Sequence, residues 1–378
     1  MAKLGEVCKV SPSTKNIERQ GAWLLNLDMV EQQTGRVVEY NFVGEDGLNG
    51  SITQFDTENV LYSKLRPNLN KVVLPERNGF CTSELLPLRP DARKLDRSYL
   101  AVFLRSDGFI NWAVSKTAGA KMPRLGTKDL LNANIPLPEI KEQKAIAEKF
   151  EKLEELICLR KQQIAKLDEL VKARFVEMFG TFPANPFRWS IGKIQDVVSD
   201  VRYGSSRPAV EGGKYPYLRM NNITYSGELD LRDTKQIDIP DSELDKCTVR
   251  RGDVLFNRTN SKELVGKTCV YNRDELMVLA GFVIRVRINE RIRPEVLSAF
   301  LNMDFSKRML IGMCKTAIGQ ANINAKELQN IDLYIPPIEL QDQFVTLKNK
   351  IDQQKQTVQQ SLEKLELLKK ALMQEYFG

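Results

Sequence analysis

Ala173-Arg174-Phe175-Val176-Glu177-Met178-Phe179-Gly180 and Ala371-Leu372-Met373-Gln374-Glu375-Tyr376-Phe377-Gly378 are two versions of one octet, 198 residues apart. The same offset carries residues 128–180 onto 326–378 without a gap, and 16 of the 53 positions are identical. Lys166-Leu167 falls on Lys364-Leu365, and Pro138-x-Ile140-x-x-Gln143 on Pro336-x-Ile338-x-x-Gln341. A gapless match through a loop, a proline and a helix end is more than two amphipathic helices share by chance. The chain reads as an internal duplication. Upstream the likeness weakens and the offset drifts. Val60-Leu61-Tyr62-Ser63 resembles Val254-Leu255-Phe256-Asn257, Lys116-Thr117-Ala118 returns as Lys315-Thr316-Ala317, and Lys3-Leu4-x-x-Val7 is echoed by Lys193-Ile194-x-x-Val197. Repeat A is therefore 1–180 and repeat B 181–378, each a variable globular part followed by a more similar tail.

The tails read as long helices. Residues 141–178 contain neither Pro nor Gly, and apolar side chains recur at steps of three and four: Ile146, Phe150, Leu153, Ile157, Ile164, Leu167 and Val171. The second tail offers Phe344, Leu347, Ile351, Val358, Leu365, Leu368 and Leu372. Arg160 and Gln354 interrupt the two stripes. Each tail predicts a helix of roughly 38 residues, about 57 Å at 1.5 Å per residue. Pro138 and Pro336-Pro337 precede the helix starts, and Gly180 is placed to stop the first. A lone helix with one apolar stripe must bury it, and the other tail is the natural partner. Ile146, Leu153, Ile157, Ile164 and Leu167 would then face Phe344, Ile351, Val358, Leu365 and Leu368. Two equivalent repeats related by a pseudo-two-fold make the helices antiparallel and put the globular parts at opposite ends of a spacer. Two separate helices, each packed on its own domain, are the alternative.

Composition bounds the rest. A length of 378 residues, 42% hydrophobic and 28% charged, suits two globular domains with full cores. The absence of a long apolar run and of a signal-like N-terminus predicts a soluble cytoplasmic protein without a membrane span. Histidine is absent, which removes Ser-His-Asp and Cys-His catalysis and any His-ligated zinc. The six cysteines are at least 22 residues apart, so no metal knuckle or disulfide framework is expected. The net charge of +7 divides as +2 over 1–140, +1 over 141–180, +4 over 181–338 and 0 over 339–378. Positive charge thus gathers on the globular parts, as a polyanion partner would favour.

The globular parts show short strand-like runs, including Trp23–Leu27, Lys71–Leu74 and Phe282–Arg287, with turns at Asp46-Gly47, Asn49-Gly50 and Arg251-Gly252-Asp253. Short helices are expected at Ser98–Leu104 and Pro294–Leu301. Several loops mix cations with amides, hydroxyls and aromatics. Repeat A has Lys64, Arg66 and Asn68 in one loop and Lys116, Lys121 and Arg124 in another. Repeat B has Arg202, Tyr203 and Arg207; Arg219, Asn221 and Asn222; Asn257, Arg258, Asn260 and Lys262; and Lys315, Gln320, Asn322 and Asn324. Arg and Lys pair with phosphates and guanine edges, Asn and Gln with adenine edges. Any one such loop reads first as ordinary solvated surface; recurrence at equivalent places in both repeats brings a nucleic-acid contact level with that reading. Other motifs fall short. Ser261–Thr268 ends like a phosphate-binding loop but lacks its first glycine, Asn185-Pro186-Phe187 lacks the second proline of a methyltransferase motif, and the Glu-x-Lys pairs near 139–144 sit at a helix start.

The duplicated segments Ile135-Pro136-Leu137-Pro138-Glu139-Ile140-Lys141-Glu142-Gln143 and Ile335-Pro336-Pro337-Ile338-Glu339-Leu340-Gln341, with Thr316-Ala317-Ile318-Gly319-Gln320-Ala321-Asn322-Ile323-Asn324, resemble the specificity (S, HsdS) subunit of type I restriction–modification systems over essentially the whole length. Repeat A departs from the last pattern, with Thr117-Ala118-Gly119-Ala120-Lys121-Met122-Pro123. The resemblance implies an α+β fold: two tandem globular α/β target-recognition domains, at 1–140 and 181–338, joined by two long antiparallel helices, 141–180 and 339–378. These helices form a coiled coil in a pseudo-two-fold symmetric chain. It implies double-stranded DNA as ligand, each domain reading half of a bipartite target, asymmetric because the two sets of loops differ. It also implies two methyltransferase (M) subunits carrying S-adenosylmethionine and restriction (R) subunits carrying ATP hydrolysis and cleavage, with no catalysis, metal or cofactor on this chain. The alternatives are a duplicated coiled-coil protein scaffold without DNA binding and, with least support, a lone nuclease or methyltransferase.

Overall fold

The fold was obtained as a computed structural model describing residues 1–15, 17–119, 121–317 and 320–378, with backbone alone at 315–317 and 320. The chain divides into two units: Met1–Lys161 with Gln360–Gly378, and Gln162–Gln359.

The first unit runs β1 (Ala2–Lys3), α1 (Leu4–Val7), β2 (Cys8–Val10), β3 (Ala22–Leu25), β4 (Asn41–Val43), β5 (Ile52–Phe55), β6 (Val60–Ser63), β7 (Val72–Val73), β8 (Gly79–Thr82) and β9 (Leu85–Pro90). Helices α2 (Arg97–Leu104), α3 (Asp107–Ser115) and α4 (Thr127–Leu131) follow, then β10 (Asn134–Ile135) and the start of the 40-residue α5 (Ile140–Phe179). Two four-stranded sheets form, ordered β2-β9-β6-β7 and β4-β3-β8-β5. Only β3–β8 is parallel; the other pairs in these sheets are antiparallel. All four residues of β6 are buried, so this strand reads as a continuous apolar run without alternation. Asp96 and Ser106 cap α2 and α3 by accepting from the Tyr99 and Phe109 amides.

The second unit repeats the scheme. It contains the end of α5, then β11 (Ser190–Lys193), β12 (Val198–Tyr203), β13 (Tyr215–Leu218), β14 (Lys235–Ile237), α6 (Asp241–Cys247), β15 (Thr248–Val249), β16 (Val254–Asn257), β17 (Thr259–Asn260), β18 (Thr268–Val270), β19 (Met277–Leu279) and β20 (Val283–Ile288). Next come α7 (Pro294–Asn302), α8 (Asp304–Met313), β21 (Lys315–Ala317), β22 (Gln320–Asn322), α9 (Ala325–Gln329), β23 (Asp332–Ile335) and the start of the 40-residue α10 (Ile338–Phe377). Its four-stranded sheets are β12-β20-β16-β18 and β14-β13-β19-β15, with β13–β19 the parallel pair. Registers agree as well: Val60 faces Leu88 where Val254 faces Val286.

Each core is closed by segments of both long helices. In the first unit Ile146, Ala147 and Phe150 of α5 join Met373 and Phe377 of α10 around Tyr99, Phe103 and Phe109. In the second, Phe175 and Phe179 of α5 meet Phe344 of α10, the three ring centroids lying 4.9–5.5 Å apart. Early α5 meets late α10 in the first unit (Glu154 with Lys369, 2.8 Å), and late α5 meets early α10 in the second (Asp168 with Lys355). The helices run antiparallel in both.

The duplicated Pro-x-Ile-x-x-Gln segment has a structural cause. Gln143 is fully buried; its Oε1 accepts from the Asp96 amide at 2.8 Å, and its Nε2 donates to the carbonyls of Lys94 (2.9 Å) and Pro138 (2.8 Å). Gln341 does the same with the Arg293 amide (2.8 Å) and the carbonyls of Arg291 (3.1 Å) and Pro336 (2.8 Å). Each glutamine fastens a helix start to the loop before α2 or α7.

Of the expected pairing residues, Ile146, Leu153, Phe344, Ile351 and Val358 are buried, and Ile157, Ile164, Leu167 and Leu365 half-buried. Leu368 is 48% exposed, and Leu362, unforeseen, takes a buried place. The buried positions step 351, 355, 358, 362 and then 373 and 377. A strict heptad carried past Leu365 slips off that face, because 3.6 residues per turn is not 3.5. Lys355 occupies the stripe as a buried cation, held by Asp168 and Glu228.

Candidate nucleic-acid interface

In both units the chain leaves a central strand through a polar segment, and a later loop is hydrogen-bonded onto it. After β6 the Lys64 amide donates to Glu84 O (3.1 Å) and the Lys64 carbonyl accepts from Leu125 N (2.9 Å); Leu65 bridges Arg124. After β16 the Arg258 amide donates to Phe282 O (3.0 Å) and its carbonyl accepts from Ile323 N (2.9 Å); Thr259 and Asn260 pair with Asn322 and Ala321. The segments at Lys64–Leu65 and Arg124–Leu125 in one repeat, and at Arg258–Asn260 and Ala321–Ile323 in the other, thus converge at equivalent places.

In the first unit Arg66 is exposed in a left-handed conformation (φ 49°) before the Pro67–Leu69 turn. Its Nη2 reaches Lys121 O at 3.5 Å. Lys64 is half-exposed, and Asn68, Lys116 and Lys121 are exposed. Arg124 is committed to Glu84 through two bonds of 3.1 and 3.3 Å, which raise the guanidinium pKa.

In the second unit three arginines are tied to carboxylates: Arg202 to Asp200 (2.9 Å), Arg207 to Glu243 (2.7 Å) and Arg219 to Asp233 (3.0 Å). Arg258 differs. Its guanidinium lies over the Tyr203 ring, 4.8 Å from the centroid. Among the described residues its one side-chain bond, to Gly281 O, is 3.5 Å; its Nε, like that of Arg219, is buried with no partner. Tyr203 Oη accepts from the Ala325 amide at 2.8 Å.

Some candidate amides serve the fold. Asn222 is buried, accepting from Arg219 N and donating to Asp230 O; Asn257 is buried and donates to Leu264 O; Asn324 caps α9. Asn260 accepts from the Ser261 amide. Asn221, Asn322 and Lys262 remain exposed. The side chains of Lys315 and Gln320 lie outside the described residues, as does the Ile318-Gly319 backbone.

The phosphate-loop look-alike resolves as core. Lys267 is buried and donates to the carbonyls of Met220 (3.0 Å) and Ile223 (2.5 Å), and Thr268 is fully buried in β18. Burial pushes the thiols of Cys8, Cys81 and Cys269 up to about 12. Among the described residues no cluster of His, Cys, Asp and Glu could hold a metal, and no helix is long and apolar enough to cross a membrane.

Sequence reasoning missed the carboxylates that restrain these arginines. Asp200 was legible, lying two residues before Arg202 on one strand and so on the same face. Glu84 and Glu243 stand 40 and 36 residues from their partners, and only the fold brings them together.

Comparison with known proteins places the fold and the family. The EcoKI specificity subunit of Escherichia coli K12 is 25% identical over 274 residues, 68% of this chain and 59% of the relative. The EcoDI specificity subunit of Escherichia coli is 30% identical over 124 residues, 33% of this chain and 27% of the relative. The chain thus spans about three-fifths of the first relative's length and about a quarter of the second's. A chain solved in work on complex assembly and conformational transition of the type I R-M system shares the fold with a TM-score of 0.60, at 19% identity, over all of this chain and 96% of that one. The family described as "Type I restriction modification DNA specificity domain" matches residues 2–169 and again 188–367. With the family matched to each half in turn, over nearly all of its length, the chain belongs to that family and carries its domain in duplicate.

Proposed function

We propose that this chain is the DNA-reading subunit of a type I restriction–modification complex, itself without catalytic chemistry. The observation that carries the reading is the convergence, at equivalent places in both units, of two hydrogen-bonded loops bearing exposed cations and amides, in a family of DNA specificity domains. The globular parts, 1–140 and 181–338, act as target recognition domains. Phosphate contacts from lysines such as Lys64, Lys116, Lys121 and Lys262 orient the duplex, and base-edge contacts in the major groove give specificity. The loops differ between repeats, so the half-sites differ. The helices 141–180 and 339–378 set the distance between them.

Methyltransferase subunits, two per chain, dock on the helices and domain flanks, and restriction subunits join through them in the cytoplasm. The leucines left exposed on the helices of the first unit, Leu156, Leu159, Leu367 and Leu368, suit such a partner. The partner supplies methyl transfer and the flipping of its target base.

The test is duplex binding by the assembled chain and methyltransferase across a salt series, on the sequence that methylome analysis of cells carrying both identifies. A steep salt dependence and preference for that sequence are expected. Arg66→Ala is expected to weaken binding. Equal affinity for target and scrambled duplexes would leave the duplicated protein scaffold as the reading.

A further inference from the structure

Of the four candidate arginines in the second unit, only Arg258 is not closed on a carboxylate. Its backbone is fixed on both sides, through Phe282 O and Ile323 N. Its guanidinium is held over the Tyr203 ring, and that ring is itself anchored by the Ala325 amide. Stacking occupies the face of a guanidinium and leaves the N–H edge available for a planar pair of acceptors. Its Nε is buried with no partner, as is that of Arg219, so what sets Arg258 apart is a guanidinium over a fixed ring with no carboxylate upon it.

In the major groove one base offers an adjacent pair of acceptors for this fork: guanine, through O6 and N7. The first unit lacks the arrangement. Lys64 holds the place of Arg258, with the same two backbone bonds. Val10 faces Leu88 as Val201 faces Val286, so Pro12 stands where the second unit has Tyr203. A lysine with no ring beneath it is a mobile point charge that does not select planar acceptors.

We propose that Arg258, positioned by Tyr203, reads a guanine in the half-site of the second repeat, and that the equivalent Lys64 imposes no such requirement on the other half-site. The proposal rests on the DNA-reading function above.

The experiment uses the chain assembled with its methyltransferase on its own target, each guanine of both halves replaced in turn by 7-deazaguanine, which lacks N7, or by inosine, which keeps N7 and O6. A guanine in one half only is expected to lose roughly tenfold or more in affinity with 7-deazaguanine and little with inosine. Arg258→Lys, which keeps the charge, and Tyr203→Leu are expected to abolish the difference between guanine and 7-deazaguanine there. Tyr203→Phe, which keeps the ring, is expected to retain it. Specific binding of the target with no guanine whose N7 effect depends on Arg258 overturns the assignment, a phosphate contact being then its role, while the DNA-reading function stands. Failure of the wild-type complex to distinguish target from scrambled duplex overturns both.

Discussion

Single side chains in this protein divide between those that hold joints and those that remain available. Gln143 and Gln341 are joints: each spends its amide on two carbonyls and one backbone N–H with no exposure to water. Gln143→Leu leaves three partly buried polar groups, the Asp96 N–H and the Lys94 and Pro138 carbonyls, without this partner, at about 1–3 kcal/mol for each group that water cannot reach. A loss of roughly 3 kcal/mol or more is expected in urea unfolding of the first unit, with Gln341→Leu acting alike on the second. Lys307 is a different case. Its ammonium is buried against Gly266 O at 2.6 Å, and burial, reinforced by Lys267 and Lys172, lowers its pKa to about 7. An unfolded lysine titrates near 10.4. Below pH 7 the amine is protonated in both states and the burial cost is fully present. As pH rises toward 10 the folded amine is neutral while the unfolded one still binds a proton, so the cost falls away. The stability of Lys307→Met relative to wild type should therefore decline from pH 7 to 9.5, by at most about 1.4 kcal/mol per pH unit. A difference constant across that range in thermal melts would show that the amine keeps its ordinary pKa.

At the scale of elements, the paired helices carry the sharpest expectation. Seven residues inserted in α5 after Lys161, matched by seven in α10 before Gln360, add about 10.5 Å at 1.5 Å per residue. That is about three base pairs of duplex, and the preferred spacer between half-sites should lengthen accordingly, as methylome sequencing would reveal. An unchanged spacer would remove the helices from that role. These helices were legible in the sequence because periodicity, absence of Pro and Gly, and duplication are local properties. Their seam was legible only in part: Leu368 followed the heptad and lies exposed, whereas Lys355 lies buried because Asp168 and Glu228 meet it from distant segments. The sheets were less legible again. Val60–Ser63 and Val254–Asn257 were recognisable as strands, but the parallel pairings of β3 with β8 and of β13 with β19 join segments more than fifty residues apart. Within the candidate interface, residue type singled out Arg258 and Tyr203 without telling them from Arg207 or Arg219. Only tertiary structure shows which guanidinium a carboxylate has already claimed.

For the molecule as a whole, the division into units does not follow the order of the chain. The second unit is continuous, Gln162–Gln359, whereas the first needs Met1–Lys161 together with Gln360–Gly378. Phe377 lies among Tyr99, Phe103 and Phe150, with ring centroids 5.3–6.3 Å away. Phe377→Ala is expected to cost roughly 3–5 kcal/mol, through lost burial and the cavity left behind. Hydrogen exchange should register the loss in β6 and β9 of the first unit and leave β16 and β20 of the second protected; uniform deprotection would mean that the two unfold as one. The same discontinuity sets an order of events during synthesis. The ribosome releases every strand of the first unit early, yet the aromatic plug that seals it emerges only after the second unit is complete. The half made first is thus closed only after the other, and until then Tyr99, Phe103 and Phe150 lack the ring that packs on them.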